Sequence, residues 1–391
     1  MSFVALLILL TFVSAIPLGL ALWLKKGYKK TKFVLFALTG LLVLTQTSVW
    51  LYDVSGMQAY NHYLQIQTFL NQPFTGLRQL GLTPSKGIIA LSYMSEGLVS
   101  YAIENPVRKP EIIALLKKAI AIALHPDISP YQNINNVASW GEEGLYLSHF
   151  NVMLGSYQRL SGDRTYLQLN RTISEHLAQK IISAPHNNIR SYNKAQDRWP
   201  ADNAVTIYSL YIFDRNNNTQ IGLSPTQKWL EYMETKGSEP KTKLHYSELT
   251  GVEKYSPYPR GCALSWTVKY MSDFAPKQAK ELWSNYKKHY QKNFLIISAF
   301  REYPPNANIN PDADSGPIVF GMGAGATGLA LNSSKYVADY LTYYQINNLF
   351  RLTDFVGNIL ASFGNKKWQT LTQDILAISI QFNAETKVPW Y

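Results

Sequence analysis

The sequence predicts a predominantly helical domain, built as a toroid of helical hairpins and preceded by two membrane-spanning helices. The first fifty residues hold two apolar runs, and apolar residues recur at helical spacing through most of the remaining chain. Short turns alternate with long loops rich in Pro, Asn and Tyr, as expected for stacked helical hairpins. A toroid of this kind gathers its long loops, and the binding residues they carry, at one end.

The two apolar runs extend from Met1 to Leu24 and from Phe33 to Trp50, and neither contains Asp, Glu or His. A helix needs roughly twenty residues to cross the ~30 Å hydrocarbon layer, so each run is long enough to span it. A cluster of lysines separates the runs: Lys25, Lys26, Lys29, Lys30 and Lys32.

Basic loops stay on the cytoplasmic side, which places the chain from about residue 53 onward on the extracytoplasmic (periplasmic) side of the membrane. We therefore predict a transmembrane hairpin over 1–52 and one extracytoplasmic domain over 53–391. A cleaved signal peptide is the competing interpretation because residues 13–15 are small, but the start lacks a basic region.

Composition excludes several classes of protein. A hydrophobic content of 46% with 16% charged residues is typical of a folded globular domain. The net charge of +11 falls to +6 without the five loop lysines, and the remaining basic residues are scattered, which argues against a nucleic-acid partner. One cysteine, Cys262, rules out an intramolecular disulfide, and the histidines lack metal-ligand spacing. We predict no metal and no cofactor.

Apolar spacing and breaker residues together place about a dozen helices in the domain. Apolar residues mark helices around 88–98, 112–120 and 145–160. Further helices are predicted over roughly 57–71, 163–183, 202–214, 224–237, 262–272, 275–293, 316–331, 333–347, 349–362 and 366–384.

The segment 139–151 reads S-W-G-E-E-G-L-Y-L-S-H-F-N and is predicted to begin a helix. Glu142, Tyr146 and His149 then fall at i, i+4 and i+7, on one face. An acid and an imidazole on one face suit proton transfer. The alternative is an internal hydrogen-bonded network that holds helices together.

The segment D-R-W-P-A-D-N at 197–203 places Pro200 in the first turn of a helix, with Asp202 near its amino end. Such an acid commonly caps the helix and offsets its dipole. Trp199 beside Asp202 also suits a sugar site, where the ring stacks on a pyranose and the carboxylate binds hydroxyls or moves protons. Both interpretations remain open.

A loop at 301–317 carries the densest group of carboxylates, with Glu302 followed by Asp312 and Asp314. Acids this close disfavour joint ionisation, so one can stay protonated and act as a general acid while another remains charged, as glycoside hydrolysis requires. The alternative is a solvated loop in which Asp314 or Ser315 caps the next helix.

Tyr258, Arg260 and Tyr303 add an aromatic and partly basic rim to the long loops. The segment 323–328 matches G-x-G-x-x-G, but no βαβ unit surrounds it. We interpret it as part of an inner helix kept slim by glycine and alanine, which lets a neighbour approach its backbone.

The motifs at 139–151, R-W-P-A-D-N at 198–203 and D-A-D-S-G-P with the glycine-rich segment at 312–328 resemble the inner-helix motifs of (α/α)6-toroid proteins. Within this six-hairpin glycosidase-like superfamily, the chain most resembles the bacterial linalool dehydratase/isomerase-like group. The resemblance implies six inner and six outer helices around a central cleft, in a superfamily that includes glycosidases, polysaccharide lyases and a terpene dehydratase/isomerase. The last enzyme uses a cysteine pair, whereas this chain has one cysteine.

These observations lead to a membrane-anchored envelope enzyme acting on a carbohydrate, of the glycoside hydrolase or lyase type. Asp202 and Asp314 are the predicted acid/base pair, supported by Glu142 and His149. The predicted substrate-binding residues are Trp199, Tyr146, Tyr303, Glu302, Asp312, Tyr258 and Arg260, with Trp199 and Tyr303 as stacking platforms.

Two alternatives come from other classes of function. One is a dehydratase/isomerase or lyase working on a hydrophobic, terpenoid-like alcohol near the bilayer with Tyr146, His149 and Cys262. The other is a catalytically silent toroid that binds a glycan or a protein in the envelope.

Overall fold

The computed structural model describes residues 2–25, 27–77, 82–250, 254–256, 258–305, 307, 309–312, 315–362 and 374–391. It begins with two helices that pack together, α1 (Ser2–Trp23) and α2 (Lys29–Val54). By length and composition both could cross a membrane, and most of their surface is not covered by the rest of the protein. They correspond to the two predicted apolar helices.

Twelve further helices follow within the described residues. They are α3 (Met57–Asn71), α4 (Pro84–Glu104), α5 (Lys109–Ala123), α6 (Gly144–Ser161), α7 (Leu167–Ser183), α8 (Pro200–Asn217), α9 (Leu223–Thr235), α10 (Gly261–Phe274), α11 (Pro276–Tyr290), α12 (Ala324–Tyr336), α13 (Tyr340–Ser362) and α14 (Ile375–Glu385).

Six of these helices form a closed inner ring. Helix α4 packs against α6, and the series continues through α8, α10, α12 and α14, which returns to pack against α4. The remaining helices, α3, α5, α7, α9, α11 and α13, form the outer layer, where α5 bridges α4 and α6 and α7 bridges α6 and α8. The ring confirms the predicted all-α toroid with six inner and six outer helices.

The connections alternate in length around the ring. The inner helices α4, α6, α8, α10 and α12 each lead to the next outer helix through a short connection, such as the single residue Ala275 between α10 and α11. Long segments return from an outer helix to the next inner helix, as in 184–199 and 236–260. All inner helices therefore begin at the same end of the toroid, the long-loop end, and finish at the opposite short-turn end.

The long loops contain short antiparallel strands. Strands β1 (Asp197–Arg198), β2 (Leu249–Thr250) and β3 (Lys254–Tyr255) form one small sheet in that order. Strands β4 (Gln291–Phe294) and β5 (Ile297–Phe300) form a hairpin, and β6 (Ile318–Val319) pairs with β7 (Met322–Gly323). The first sheet joins the loop before α8 to the loop before α10, through Asp197 opposite Thr250 and Arg198 opposite Leu249.

Local sequence explains several helix boundaries. Helices α4 and α8 begin at Pro84 and Pro200, where the missing proline N–H is not needed. The Asp374 carboxylate accepts a hydrogen bond from the backbone N–H of Ala377 at 2.7 Å and caps α14. Helix α6 ends at Ser161, and Gly162, which follows it, adopts a positive φ of 69°.

The structure corrects three helix predictions. The predicted helix at 316–331 is wrong at its start, because the β6–β7 hairpin occupies 318–323 and the helix begins only at Ala324. The helices predicted over 333–347 and 349–362 are also wrong, since α12 continues to Tyr336 and one uninterrupted α13 follows. Within 366–384, residues 366–373 lie outside the described part of the chain.

Candidate active site

The turn at 141–144, at the start of α6, packs closely against the loop 188–199 that leads into α8. Gly141 has φ 56°, and a Cβ there would lie 2.1 Å from Asn193 Oδ1. A Cβ on Gly144 would lie 2.7 Å from the carbonyl oxygen of Arg190. The backbone N–H of Gly144 instead donates to that carbonyl at 3.0 Å. The two glycines of the W-G-E-E-G motif thus allow the loop 188–199 to approach closely.

Glu142 lies in this turn and not on the helix, so its predicted i, i+4, i+7 alignment with Tyr146 and His149 is wrong. Helix α6 begins at Gly144 because the positive φ of Gly141 breaks the helical path before it. Glu142 Oε2 accepts hydrogen bonds from Arg198 Nη1 at 2.6 Å and from the backbone N–H of Arg190 at 3.2 Å. The guanidinium of Arg198 also donates to the Asn188 carbonyl at 2.7 Å.

Neighbouring Glu142 and Glu143 have pKa values shifted in opposite directions. Burial raises the pKa of Glu142, but the hydrogen bonds from Arg198 and from the Arg190 backbone outweigh it and leave the pKa below its ordinary value. Burial also raises the pKa of Glu143, and the single hydrogen bond from the Asn193 backbone does not offset it. Adjacent carboxyl groups with opposed shifts provide one ionised and one more readily protonated group.

Three carboxylates bind the same short segment of the loop, two through its backbone N–H groups and one through a side chain. Glu142 is bonded to Arg190, while Glu143 Oε2 accepts from the Asn193 N–H at 3.0 Å. The Ser191 hydroxyl donates to Asp202, which lies in the first turn of α8. Ser191 and Asn193 are two residues apart and so at most ~7 Å apart along the chain. Glu143 and Asp202 are thereby bound to the same short loop segment at the long-loop end.

An aromatic pair accompanies these carboxylates. The rings of Tyr192 and Trp199 lie edge to face with centroids 5.7 Å apart, and both side chains are half-buried. The Tyr192 hydroxyl lies 2.9 Å from Ser85 Oγ at the start of α4, which ties the loop to a third inner helix. Trp199, predicted as a stacking platform, therefore stands next to Asp202 with part of its indole exposed.

A second charged cluster lies where α10 begins. The buried carboxylate of Glu302 accepts from Arg260 Nε at 3.1 Å and from the Cys262 N–H at 3.3 Å. Arg260 Nη2 donates to Asp312 Oδ1 at 2.8 Å. Burial raises the pKa of Glu302, although its hydrogen bonds with Cys262 and the charge of Arg260 oppose the rise. Arg260 is therefore bound between two carboxylates.

The rest of the predicted rim surrounds this cluster in part. The guanidinium carbon of Arg260 lies 5.6 Å from the ring centroid of Tyr303, and Tyr258 is half-buried in the same loop as Arg260. Asp312 Oδ1 also accepts from the Ser315 N–H at 2.8 Å, which stabilises the loop turn. Asp314, the predicted partner of Asp202 in catalysis, lies outside the described residues.

Tyr146 and His149 are not at the surface of this site. Tyr146 is buried and donates to the Ala123 carbonyl at 2.9 Å, which joins α6 to the end of α5. His149 is fully buried, and neither ring nitrogen has a hydrogen-bond partner among the described residues. Burial and the charge of Lys269 lower the pKa of His149 to about 3, so the ring is neutral at physiological pH.

The ring interior contains an ion pair that the sequence analysis did not single out. Lys269 Nζ lies 2.6 Å and 2.9 Å from the two carboxylate oxygens of Glu96, and the Tyr208 hydroxyl donates to Glu96 Oε2 at 2.9 Å. The ammonium lies 3.6 Å from the ring centroid of Tyr270. The sequence offered one signal for this pair: Glu96 and Lys269 are charged residues within the apolar patterns of two predicted helices. Burial lowers the pKa of Lys269 to about 8, despite the opposing charge of Glu96.

Within the described part of the chain, no group of three or more His, Cys, Asp or Glu side chains could hold a metal ion. The arrangement at the long-loop end consists of carboxylates, arginines and aromatic rings. Its available chemistry is proton transfer and the binding of hydroxyl-rich molecules.

No protein-family model matches the sequence. Among solved structures, the chain is similar to the GH76A α-1,6-mannanase from Salegentibacter sp. HEL1_6, with 10% identity, a TM-score of 0.47, and coverage of 76% of this chain and 88% of that one. An inactive variant of that enzyme in complex with α-1,6-mannotetrose gives 10% identity, a TM-score of 0.45 and coverage of 75% and 87%.

A family 76 glycoside hydrolase from a bovine Bacteroides thetaiotaomicron strain is also similar, at 7% identity and a TM-score of 0.45, with coverage of 76% of this chain and 68% of that chain. The narrower resemblance to the linalool dehydratase/isomerase-like group remains a prediction.

Proposed function

We propose that this chain is a membrane-anchored enzyme that cleaves a glycosidic bond in a carbohydrate, with the reaction at the long-loop end of the toroid. The observation that carries the proposal is the attachment of Glu142, Glu143 and Asp202 to residues 190–193, beside the half-exposed Trp199. Carboxyl groups bound to one short loop segment, next to an aromatic platform, suit acid/base glycoside cleavage, which uses a pair of carboxyl groups.

The environments suggest separate roles for the carboxyl groups. Glu143 has a raised pKa and is partly exposed, so it is suited to donate a proton to the leaving oxygen. Asp202 is held by Ser191 and is suited to act as the base or nucleophile on the other side of the bond. Glu142 is bonded to Arg198 and has a positioning role, because this pair fixes the loop that binds Glu143 and Asp202. The alternative assignment is the acid/base pair of Asp202 with Asp314 that the sequence predicts.

Membrane anchoring is part of the proposal. The apolar helices α1 and α2 supply the anchor, and the lysine-rich connection between them favours an extracytoplasmic position for the toroid. Glycan substrates of the cell envelope lie on that side.

The test uses the purified full chain in detergent and a panel of oligo- and polysaccharides that includes α-1,6-mannan, with release of reducing ends as the readout. Glu143→Gln and Asp202→Asn should each reduce the rate by about 10²–10⁴-fold, the usual contribution of a general acid or base, with little change in Tm. Glu175→Gln, at an exposed position on α7, is the matched control and should change neither.

Other results would contradict the assignment. A fall of several degrees in Tm with either variant would indicate that these carboxylates serve mainly to hold the loop. Saturable binding of a glycan by the unmodified chain, with no product on prolonged incubation, would favour the non-catalytic binding toroid.

A further inference from the structure

The outer helix α13 presents an apolar stripe to the outside of the toroid. Leu352, Phe355, Val356 and Ile359 fall at i, i+3, i+4 and i+7, and each is between 43% and 63% exposed. Spacing of this kind places all four side chains on one face of a helix. An outer helix exposed only to water would carry polar residues there, so the stripe indicates an apolar partner.

The stripe adjoins the helical hairpin. Helix α13 packs against α1, and Asn348 Nδ2 donates to Gln46 Oε1 of α2 at 2.9 Å. The Asp53 carboxylate, near the end of α2, accepts from Tyr343 at 3.1 Å and from Tyr344 at 2.5 Å. Gln46 and Asp53 are about two helical turns apart, or roughly 10 Å of rise. Helix α13 therefore lies beside the last two turns of α2, from within the apolar span at Gln46 to just beyond it at Asp53.

The β4–β5 hairpin extends the same surface. Its tip carries the exposed Phe294 and Leu295, and α13 holds it through Gln345 Nε2 to the Leu295 carbonyl at 2.8 Å. Leu295 and Gln345 also line a cavity of about 300 Å³ together with Phe12 of α1. The hairpin tip, α13 and α1 thus meet in one region.

Basic side chains flank the apolar tip. Lys288 in the last turn of α11 and Lys292 on β4, six and two residues before Phe294, are both exposed. Apolar side chains beside lysines are the pattern of surfaces that lie in the membrane interface, where lysines meet anionic headgroups and apolar groups enter the acyl boundary.

We propose that the stripe on α13 and the tip of β4–β5 form a second membrane contact, in which the flank of the toroid rests on the outer leaflet beside the hairpin. This inference rests on the proposed membrane anchoring and adds an orientation to it. Helix α13 runs from the short-turn end toward the long-loop end, so the contact holds the candidate active site close to the lipid surface.

The test places single cysteines on the full chain and labels them with an environment-sensitive NBD dye. The unmodified chain is the blank, because Cys262 is buried. Phe355→Cys reports on the stripe, and Leu44→Cys on the exposed side of α2. Ile182→Cys, at 41% exposure on outer helix α7, is the matched control. Proteins are reconstituted into phosphatidylcholine and phosphatidylglycerol vesicles, with or without nitroxide-labelled lipid.

The dyes at positions 355 and 44 should lose most of their fluorescence to the nitroxide lipid and be shielded from aqueous iodide. The dye at position 182 should keep its fluorescence in the presence of the nitroxide lipid and be quenched by aqueous iodide. Lipid quenching at 44 with iodide quenching at 355 would leave the anchor intact and overturn the second contact. Shielding of 355 from both quenchers would mean that protein, such as a second copy of the chain, covers the stripe, and would also overturn it.

If the dye at position 44 were quenched by iodide and not by the nitroxide lipid, the membrane anchoring itself would be refuted, and the contact on α13 with it. The proposed glycosidase activity would be unaffected by that result, because it is measured in detergent on the same chain.

Discussion

Lys269 on α10 and Glu96 on α4 form an ion pair on opposite helices of the inner ring, with 2.6 Å between Lys269 Nζ and Glu96 Oε1 and almost no exposure of either side chain. The two helices are not neighbours in the ring, since α6 and α8 lie between them on one side and α12 and α14 on the other. The pair therefore joins the ring across its interior.

Breaking this pair should be strongly destabilising, because the remaining charge would be buried without a partner. Lys269→Met or Glu96→Gln should each lower the free energy of unfolding by about 3–5 kcal/mol. The double variant should lose less than the sum of the two, since it leaves no buried charge. Arg171→Met, which breaks an exposed pair with Glu175, should cost at most about 1 kcal/mol.

Denaturant unfolding of the four variants in detergent measures these values. Strictly additive losses would show that Lys269 and Glu96 act independently and that the pair does not join the ring.

The fold was predictable because it depends on periodicity and chain breaks, which are local properties. The apolar residues that predict a helix around 112–120 lie on α5, where Leu115, Leu116 and Ile120 are buried. The error at 316–323 arose because Gly316 and Gly321 adopt positive φ angles of 61° and 78° in the β6–β7 region, whereas spacing alone suggested an early helix start.

The candidate site was predictable only in part, since its groups meet through the long loops. Trp199 and Asp202 were identified from their own segment, but their connection to Glu142 and Glu143 depends on the loop 188–199 crossing to α6. His149 lies on an inner helix, as its motif predicts. Its neighbours, however, are Trp266 and Tyr270 of α10, whose ring centroids lie 5.5 Å and 6.2 Å from the centroid of the imidazole. Such contacts between distant segments leave no local signal.

His149 should make the stability of the protein fall with acid. Its folded-state pKa of about 3 lies below the ordinary value of 6.5, so the unfolded chain binds more protons between these values. The stabilisation is complete above pH 6.5 and is lost as pH falls, by at most about 1.4 kcal/mol per pH unit.

Thermal unfolding of the purified chain between pH 7.5 and 5 checks this expectation. His149→Gln should flatten the pH dependence without removing it, because burial also lowers the pKa of His245 to about 4. His289→Gln, at an exposed position, should retain the full dependence. An unchanged slope in His149→Gln would contradict the assignment of a neutral, buried imidazole.

Arg198 should matter to the shape of the loop more than to the chemical step. Its guanidinium binds both Glu142 and the Asn188 carbonyl, so Arg198→Met removes two hydrogen bonds and leaves the Glu142 carboxylate without its cation. We expect a loss of about 2–3 kcal/mol in the free energy of unfolding, the usual value for hydrogen bonds to charged groups.

Arg198→Lys should recover part of this loss, because a lysine keeps the charge but cannot bond both partners in the same geometry. Amide hydrogen exchange of residues 188–193 is the measurement. Unchanged protection of these amides in Arg198→Met would show that the loop is held by other contacts.

Replacing Gly261 on α10 and Gly328 on α12 by alanine should change the stability of the protein in opposite directions. A Cβ on Gly261 would lie 2.0 Å from the carbonyl oxygen of Arg301, and this backbone is fixed because the Gly261 N–H donates to the Glu302 carbonyl at 2.8 Å. Gly261→Ala should therefore destabilise the protein by about 1–3 kcal/mol, as overpacking does.

A Cβ on Gly328, in the interior of α12, meets no atom within 4 Å. Gly328→Ala should raise stability by about 0.5–1 kcal/mol, because alanine loses less backbone entropy in a helix. Denaturant unfolding compares the two directly, and equal effects of the same sign would contradict the packing of the segment 301–302 against the start of α10.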